Sequence, residues 1–333
     1  MATAEDLATA HYLQQQRTVR QAADRAQALW HALGLEPGRF DTQWLTVGPG
    51  LVQAVTDGQQ AAAAPADTYL TAVIAADGAA TEPAGTLNTN AFAGHAADGR
   101  SLRSLLYEPV IDTKWRIAAG QSVRDATTGA LSTLLRTVTT EVADAGRTAV
   151  GAGIASNRAT RGYVRVLSPP SCSRCAILAG REYAFNSGFD RHPRCDCVHL
   201  PITRYRRGAR TMDVRAYFDS LPRAEQNRVF TIHGAQAIRD GADINSVVNA
   251  RRGLYTAGEG ANRVRATYDA TTARGAFFRA ERERAIRLGL VPRNQDRRAF
   301  RLRARRLTPE EIYGRAENRD QVIAMLRRYG YLT

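Results

Sequence analysis

The sequence predicts a mainly α protein: a helical N-terminal domain, a short central antiparallel sheet in a small α+β module, and a helical, basic C-terminal region. Three observations carry this. Residues 125–157 hold one unbroken apolar stripe at helical spacing. "GYVRVLS" and "CVHLPI" alternate in the manner of strands, with turn residues between them. From Arg204 onward the patterning turns helical again, with recognisable caps. The boundaries expected are 1–157 for the helical domain, 158–210 for the sheet module and 211–333 for the arginine-rich region.

Each element has its own reason. Residues 1–35 read as one helix, because "DLATAHYLQQQRTVRQAADRAQALWHAL" has no Gly or Pro and places Leu29, Trp30 and Leu33 on one face. Gly34 and Pro37 stop it. Residues 40–76 read as two helices parted near Pro65. The stretch 77–100, "DGAATEPAGTLNTNAFAGHAADGR", is loop-like, and its length marks it as functional or mobile. Helical patterning resumes over 101–122. The strongest helix follows, with Leu131, Leu134, Leu135, Val138, Val142, Ala145 and Ala149 on one stripe. Beyond the sheet, Met212–Leu221 is helical, and "PRAEQNRVFTIHGAQAIRDG" gives one or two helices ended by Gly241. Another starts near Asp243. In "LTPEEI", Thr308 caps, Pro309 takes the first helical position, Glu311 closes a capping box, and Leu307 with Ile312 forms a staple. A last helix, Arg319–Tyr329, ends at Gly330.

Charge is unevenly spread. Residues 1–150 hold 11 basic and 15 acidic side chains, a net of −4, whereas 151–333 hold 35 and 17, a net of +18. Only one of the 46 basic residues is a lysine, Lys114. A coding bias toward arginine explains the type of residue and not its placement. A basic half beside an acidic one points to a polyanion for the second half. The sharpest concentration is 274–306, with 12 arginines against three acids and with Phe277, Phe278 and Phe300 interleaved. Guanidinium forks suit phosphate oxygens. Arg279, Arg282, Arg284, Arg297, Arg298, Arg301, Arg303, Arg305 and Arg306 are the candidate contacts to double-stranded DNA, held without base readout. The plainer reading is a solvated helix face with paired charges, or an arm docked on an acidic protein.

All four cysteines lie between Ser171 and Leu200, in the pattern C-x2-C-x16-H-x2-C-x-C-x-H. Two cysteines two residues apart can turn both sulfurs to one ion, and a second Cys/His pair completes a tetrahedron. Thiolate with imidazole in that geometry favours zinc. The candidate ligands are Cys172, Cys175, His192, Cys195 and Cys197, with His192 or Cys197 as the fourth. His199 shares the strand face of Cys195 and Cys197. A closed, structural zinc is expected, stapling a sheet with few large apolar residues of its own. The plainer reading is a cluster of reduced thiols packed as small hydrophobes.

Other chemistry is not evident. There is no P-loop and no G-x-S-x-G, and Gly48, Gly50 and Gly58 make no dinucleotide fingerprint. His11, His31, His95 and His233 are scattered. No stretch of 18 apolar residues exists, so no membrane span or membrane partner is expected. The N-terminus has no basic run followed by an apolar one, so no secretory signal is expected.

"CSRCAILAGREYAF…HPRCDC" resembles the phage Mu protein F (MuF-like) family of minor capsid, or head morphogenesis, proteins of tailed phages. The resemblance rests on Cys172, Cys175, Gly180, Tyr183, His192, Pro193, Cys195 and Cys197. It extends through "FDSLPRAEQNRVF…GAQAIRDGADINSVVNARRG" and "RLTPEEIYGRAENRDQVIAMLRRYGYL", covers about 160–333, and looks like proteins from phages of actinobacterial hosts. It implies a non-enzymatic, few-copy protein inside the head, present in the host cytoplasm during assembly and then in the virion. The implied partners are the portal protein, a scaffold or major capsid protein, and packaged DNA. The alternative is a zinc-dependent nuclease or maturation protease carrying such a module. A DNA-binding regulator of the host is a third reading.

Overall fold

The computed structural model describes residues 2–33, 36, 38–167, 171–187, 197–204, 213–260, 263–302 and 304–332, with the backbone alone at Arg298. The chain folds as two compact units. The first takes Met1–Pro170 and Ala179–Thr211, and the second takes Ser171–Leu178 and Met212–Thr333. The segment expected to stand as a module over 158–210 is thus divided, its strands in the first unit and its C-x2-C turn in the second.

Among the described residues the first unit is built on five α-helices: α1 (Ala4–His31), α2 (Phe40–Ala63), α3 (Ala66–Ala76), α4 (Leu102–Ala118) and α5 (Val123–Ser156). Pro65 parts α2 from α3 as expected, sitting at the cap position of α3. Ala126, Ala130, Leu134, Val138, Val142 and Ala149 of α5 are buried, while Leu131 and Leu135 are only half-buried, so the stripe runs closer to the small residues. The reason is close helix approach. A Cβ on Gly58 of α2 would sit 2.9 Å from Val142 of α5 and 3.0 Å from Ala22 of α1. Small side chains at that crossing let three backbones meet.

The 77–100 stretch is not an open loop. It carries a 3₁₀ turn, Thr89–Phe92. The buried Gln59 carboxamide of α2 donates to the His95 carbonyl and accepts from the Gly94 N–H, each at 2.9 Å. Glu141 of α5 accepts from the Ala97 N–H at 2.8 Å, and Asn157 accepts from the Glu82 N–H at 3.0 Å. Polar side chains projecting from the helices supply the partners its own composition lacks.

The described residues of the unit also form three strands, β1 (Thr160–Val166), β2 (Glu182–Ala184) and β3 (Val198–Thr203), antiparallel in the order β2-β1-β3. Gly162 is required where β1 meets β2, because a Cβ there would lie 2.1 Å from the Tyr183 carbonyl oxygen. Every residue of β3 is buried. Val164, Val198, Leu200 and Ile202 share one core with Ala63, Leu70, Val73, Val150 and Ile154 of the helices. Burying each such Val, Leu or Ile side chain contributes about 1.5–3 kcal/mol. The sheet therefore draws its stability chiefly from α1, α3 and α5, which corrects the expectation that a metal must replace a missing core.

In the second unit, the short helix α6 (Ser173–Leu178) precedes α7 (Val214–Ser220), α8 (Arg223–Phe230), α9 (Ile232–Arg239) and α10 (Ile244–Ala250). A hairpin follows, β4 (Leu254–Ala257) and β5 (Val264–Thr267), then α11 (Ala276–Arg287), β6 (Arg306–Leu307), α12 (Pro309–Arg315) and α13 (Arg319–Arg328). The antiparallel sheet β4-β5-β6 is a departure from the all-helical expectation for 211–333. Its strands have two to four residues, too few for alternation to stand out, and β6 pairs with β5 across some forty residues. Thr308 caps α12 as expected, accepting from the Glu311 N–H at 3.3 Å. The Glu311 carboxylate does not close the box. It accepts from the Arg265 N–H at 2.9 Å and pairs with Arg315, while the Thr308 N–H donates to the Arg265 carbonyl.

Candidate functional site

The two candidate sites, thiols and arginines, are placed differently from one another. Cys172 lies just before α6 and Cys175 within its first turn, and the Cys175 N–H donates to the Cys172 sulfur at 3.4 Å. That amide-to-sulfur turn is the arrangement a C-x2-C metal knuckle needs. Tyr217 of α7 holds the entry to the turn. Its hydroxyl accepts from the Ser171 N–H at 3.2 Å and donates to the Ser171 carbonyl at 3.0 Å. Burial, first of all, pushes the Tyr217 phenol above its ordinary pKa, which keeps that donor protonated.

Cys197 belongs to the first unit and is buried at the start of β3. Two arginines converge on it. Arg165 of β1, itself buried, brings a guanidinium N–H to the Cys197 sulfur at 3.2 Å, and Arg147 of α5 donates to the Cys197 carbonyl at 3.1 Å while pairing with Asp144 at 2.9 Å. His199 is also buried, with its ring stacked 4.2 Å from Tyr163. His192 and Cys195 lie outside the described residues. Among the described residues no group of three or more His, Cys, Asp or Glu is placed to hold a metal ion. Sequence reasoning missed Arg147 and Arg165. The signal for Arg165 was a charged residue inside the alternating "GYVRV", opposite His199 in the β1–β3 register.

The arginines of 274–306 divide into two kinds. Arg279, Arg284, Arg297, Arg301 and Arg305 are exposed. Arg284 faces Glu281 at 3.7 Å, and Arg279 donates to the Arg274 carbonyl at 2.9 Å. Among the described residues Arg279, Arg297, Arg301 and Arg305 make no ion pair with a carboxylate. Arg303, and the side chain of Arg298, lie outside the described residues. Two candidates need correction. Arg282 is half-buried and turns inward, donating to the Gln295 carbonyl at 2.5 Å and the Arg293 carbonyl at 3.4 Å, which closes the loop after α11. Arg306 is fully buried and cannot reach a phosphate. It donates to Asp269 at 2.6 Å, Ser246 at 2.6 Å and the Tyr329 carbonyl at 2.9 Å, and stacks on Tyr331.

The interleaved aromatics are core as well. Phe277 and Phe278 are buried against Tyr329 and Phe300. The alternation of Arg and Phe in this segment is that of an amphipathic helix with its apolar face covered. No helix of the described residues is long and apolar enough to cross a membrane.

A comparison with known protein families matches the family described as VG15 protein over residues 1–224, about two thirds of the chain. No match was found among curated proteins or among solved structures. The matched span contains the whole N-terminal helical domain, over which no resemblance was read from the sequence, and it overlaps the MuF-like stretch across the cysteine segment. The chain belongs to the VG15 protein family, a family of viral (phage) proteins.

Proposed function

We propose that this chain is a non-enzymatic minor capsid protein of a tailed phage, carried inside the head near the portal vertex and contacting packaged double-stranded DNA without sequence preference. Membership of a phage family supports the setting, and the MuF-like motif supports the head role. The observation that carries the DNA contact is the set of exposed guanidiniums, Arg279, Arg297 and Arg301, that make no carboxylate ion pair among the described residues. The full chain is expected to bind a short blunt duplex, with affinity falling steeply as salt rises. Each phosphate contact contributes about −0.9 to the slope of log K against log salt, so the triple variant Arg279→Ala/Arg297→Ala/Arg301→Ala should flatten it by about 3. An unchanged slope in the triple variant, or no duplex binding by the parent at low salt, would sink the reading. Virions are expected to contain the protein at a few copies each.

A structural zinc belongs to the same proposal. The Cys172/Cys175 turn fits half of a tetrahedral thiolate site. Cys172 and Cys175 would supply two thiolates, with Cys195 and either His192 or Cys197 as the other ligands expected from the spacing, and the ion would supply cross-linking and no chemistry. Elemental analysis of the purified chain should find about one zinc, as a single site of this type holds. Cys172→Ser and Cys175→Ser should each lose it. Zinc retained by either variant overturns this assignment.

A further inference from the structure

The sheet of the second unit presents a face that the duplex reading does not use. The β4–β5 register pairs Leu254 with Thr267 and Tyr255 with Ala266, so one step further Gly253 stands opposite Tyr268. The Tyr268 N–H donates to the Gly253 carbonyl at 3.0 Å. The β5–β6 register pairs Thr267 with Arg306, so one step further Arg305 stands on the other side of Tyr268. Residues opposite one another in antiparallel strands share a face. Tyr268 therefore has a residue without a side chain on one flank and an arginine on the other. The space there is tight, since a Cβ on Gly253 would lie 3.1 Å from the Tyr268 nitrogen.

Tyr255 is the diagonal neighbour, and its ring stacks on Tyr268 at 4.1 Å with an interplanar angle of 18°. Tyr255 is half-buried and supports the pair from below, whereas Tyr268 is 64% exposed. Burial and the neighbouring Tyr268 raise the Tyr255 phenol above its ordinary pKa, and Arg305 pulls the other way. Arg251 and Arg252 are exposed in the turn that leads into β4. Among the described residues neither they nor Arg305 form an ion pair.

We propose that Tyr268, backed by Tyr255 and flanked by Arg305, is a stacking platform for an unpaired nucleobase of a single-stranded nucleic acid. It rests on the nucleic-acid reading above and extends it from backbone charge to bases. A rigid ring with an open face offers a base its π surface, and the guanidinium beside it meets the adjoining phosphate. Bases within a duplex have both faces occupied, so the platform selects a single strand or a frayed end.

Fluorescence anisotropy on the full chain tests this with labelled oligo-dT, oligo-rU and a blunt duplex. Each would have about 20 nucleotides or base pairs, longer than a single-strand site of this kind. Tyr268→Ala should weaken single-strand binding about tenfold, the loss of one stacked base, and leave duplex binding unchanged. Tyr268→Leu, which keeps the bulk without the flat ring, should behave like Tyr268→Ala, and Tyr268→Phe like the parent. Tighter binding of oligo-dT or of oligo-rU supports the platform in either case and names the strand it serves. Parent-like single-strand affinity in Tyr268→Ala overturns the platform, as does an equal loss on duplex. Failure of the parent chain to bind any of the three overturns the nucleic-acid reading itself.

Discussion

Replacing Arg306 by alanine is expected to destabilise the second unit by about 3 kcal/mol, the low end of the cost of breaking a buried ion pair from one side, because Asp269 is partly exposed. The Arg306 side chain is fully buried, and its guanidinium joins three separate pieces of chain. It pairs with Asp269 after β5, donates to Ser246 of α10, and donates to the Tyr329 carbonyl at the end of α13. Tyr331 covers one face of the guanidinium at 4.2 Å. Truncation removes all of these and leaves a carboxylate, a hydroxyl and a carbonyl to find new partners in a cavity. Against a typical domain stability of about 5–15 kcal/mol the loss is large. Chemical denaturation should show it as a lower midpoint. Arg306→Met, which keeps the length and some of the volume, should lose less than alanine. An unaltered midpoint together with weakened duplex binding would restore Arg306 to the phosphate-contacting set, where sequence reasoning placed it.

Acidification is expected to weaken the first unit through His11. Its imidazole on α1 stacks 4.1 Å from the Tyr69 ring of α3, and the Tyr69 hydroxyl donates to the His199 carbonyl of β3 at 2.9 Å. Burial lowers the His11 pKa from 6.5 to about 4. The folded state thus holds fewer protons than the unfolded state between those values. Stability is full above pH 6.5, falls as pH drops toward 4, and levels off below it. A shift of that size corresponds to about 3 kcal/mol at its lower limit. His11→Phe keeps a ring on Tyr69 and removes the proton. Between pH 6.5 and 5, before most carboxylates titrate, the variant should show a flatter dependence of unfolding free energy on pH. Identical slopes for parent and variant would show that His11 is not the group responsible.

The long helices were readable because their signal is local. Nothing interrupts α1, Pro65 divides α2 from α3, and Val138, Val142 and Ala149 hold one face of α5. β1 and β3 were readable from alternation. The hairpin at Leu254–Thr267 was not, since four-residue strands give too short a pattern and their partner β6 is distant in sequence. For the sites, the C-x2-C turn was legible from spacing, and the charge excess from counting. Which arginines face water was not legible. Arg305 and Arg306 are neighbours of the same type, one exposed and one fully buried, and strand alternation alone separates them. The same holds for Cys197, which spacing joins to Cys195 and which the fold turns toward Arg165.

By itself the sequence determined that the chain is mainly helical, that its thiols gather in one short segment, and that its second half is strongly basic. These are properties of composition and of neighbours within a turn or two. Only the tertiary structure decided that the central sheet is packed into the first unit's helices, that Gln59 and Glu141 hold the 77–100 loop, and that Arg306 is a core residue while Tyr268 is a surface one. Those outcomes depend on which distant residues meet. Burial and pairing between elements set the energy of a side chain, and a linear pattern does not record them.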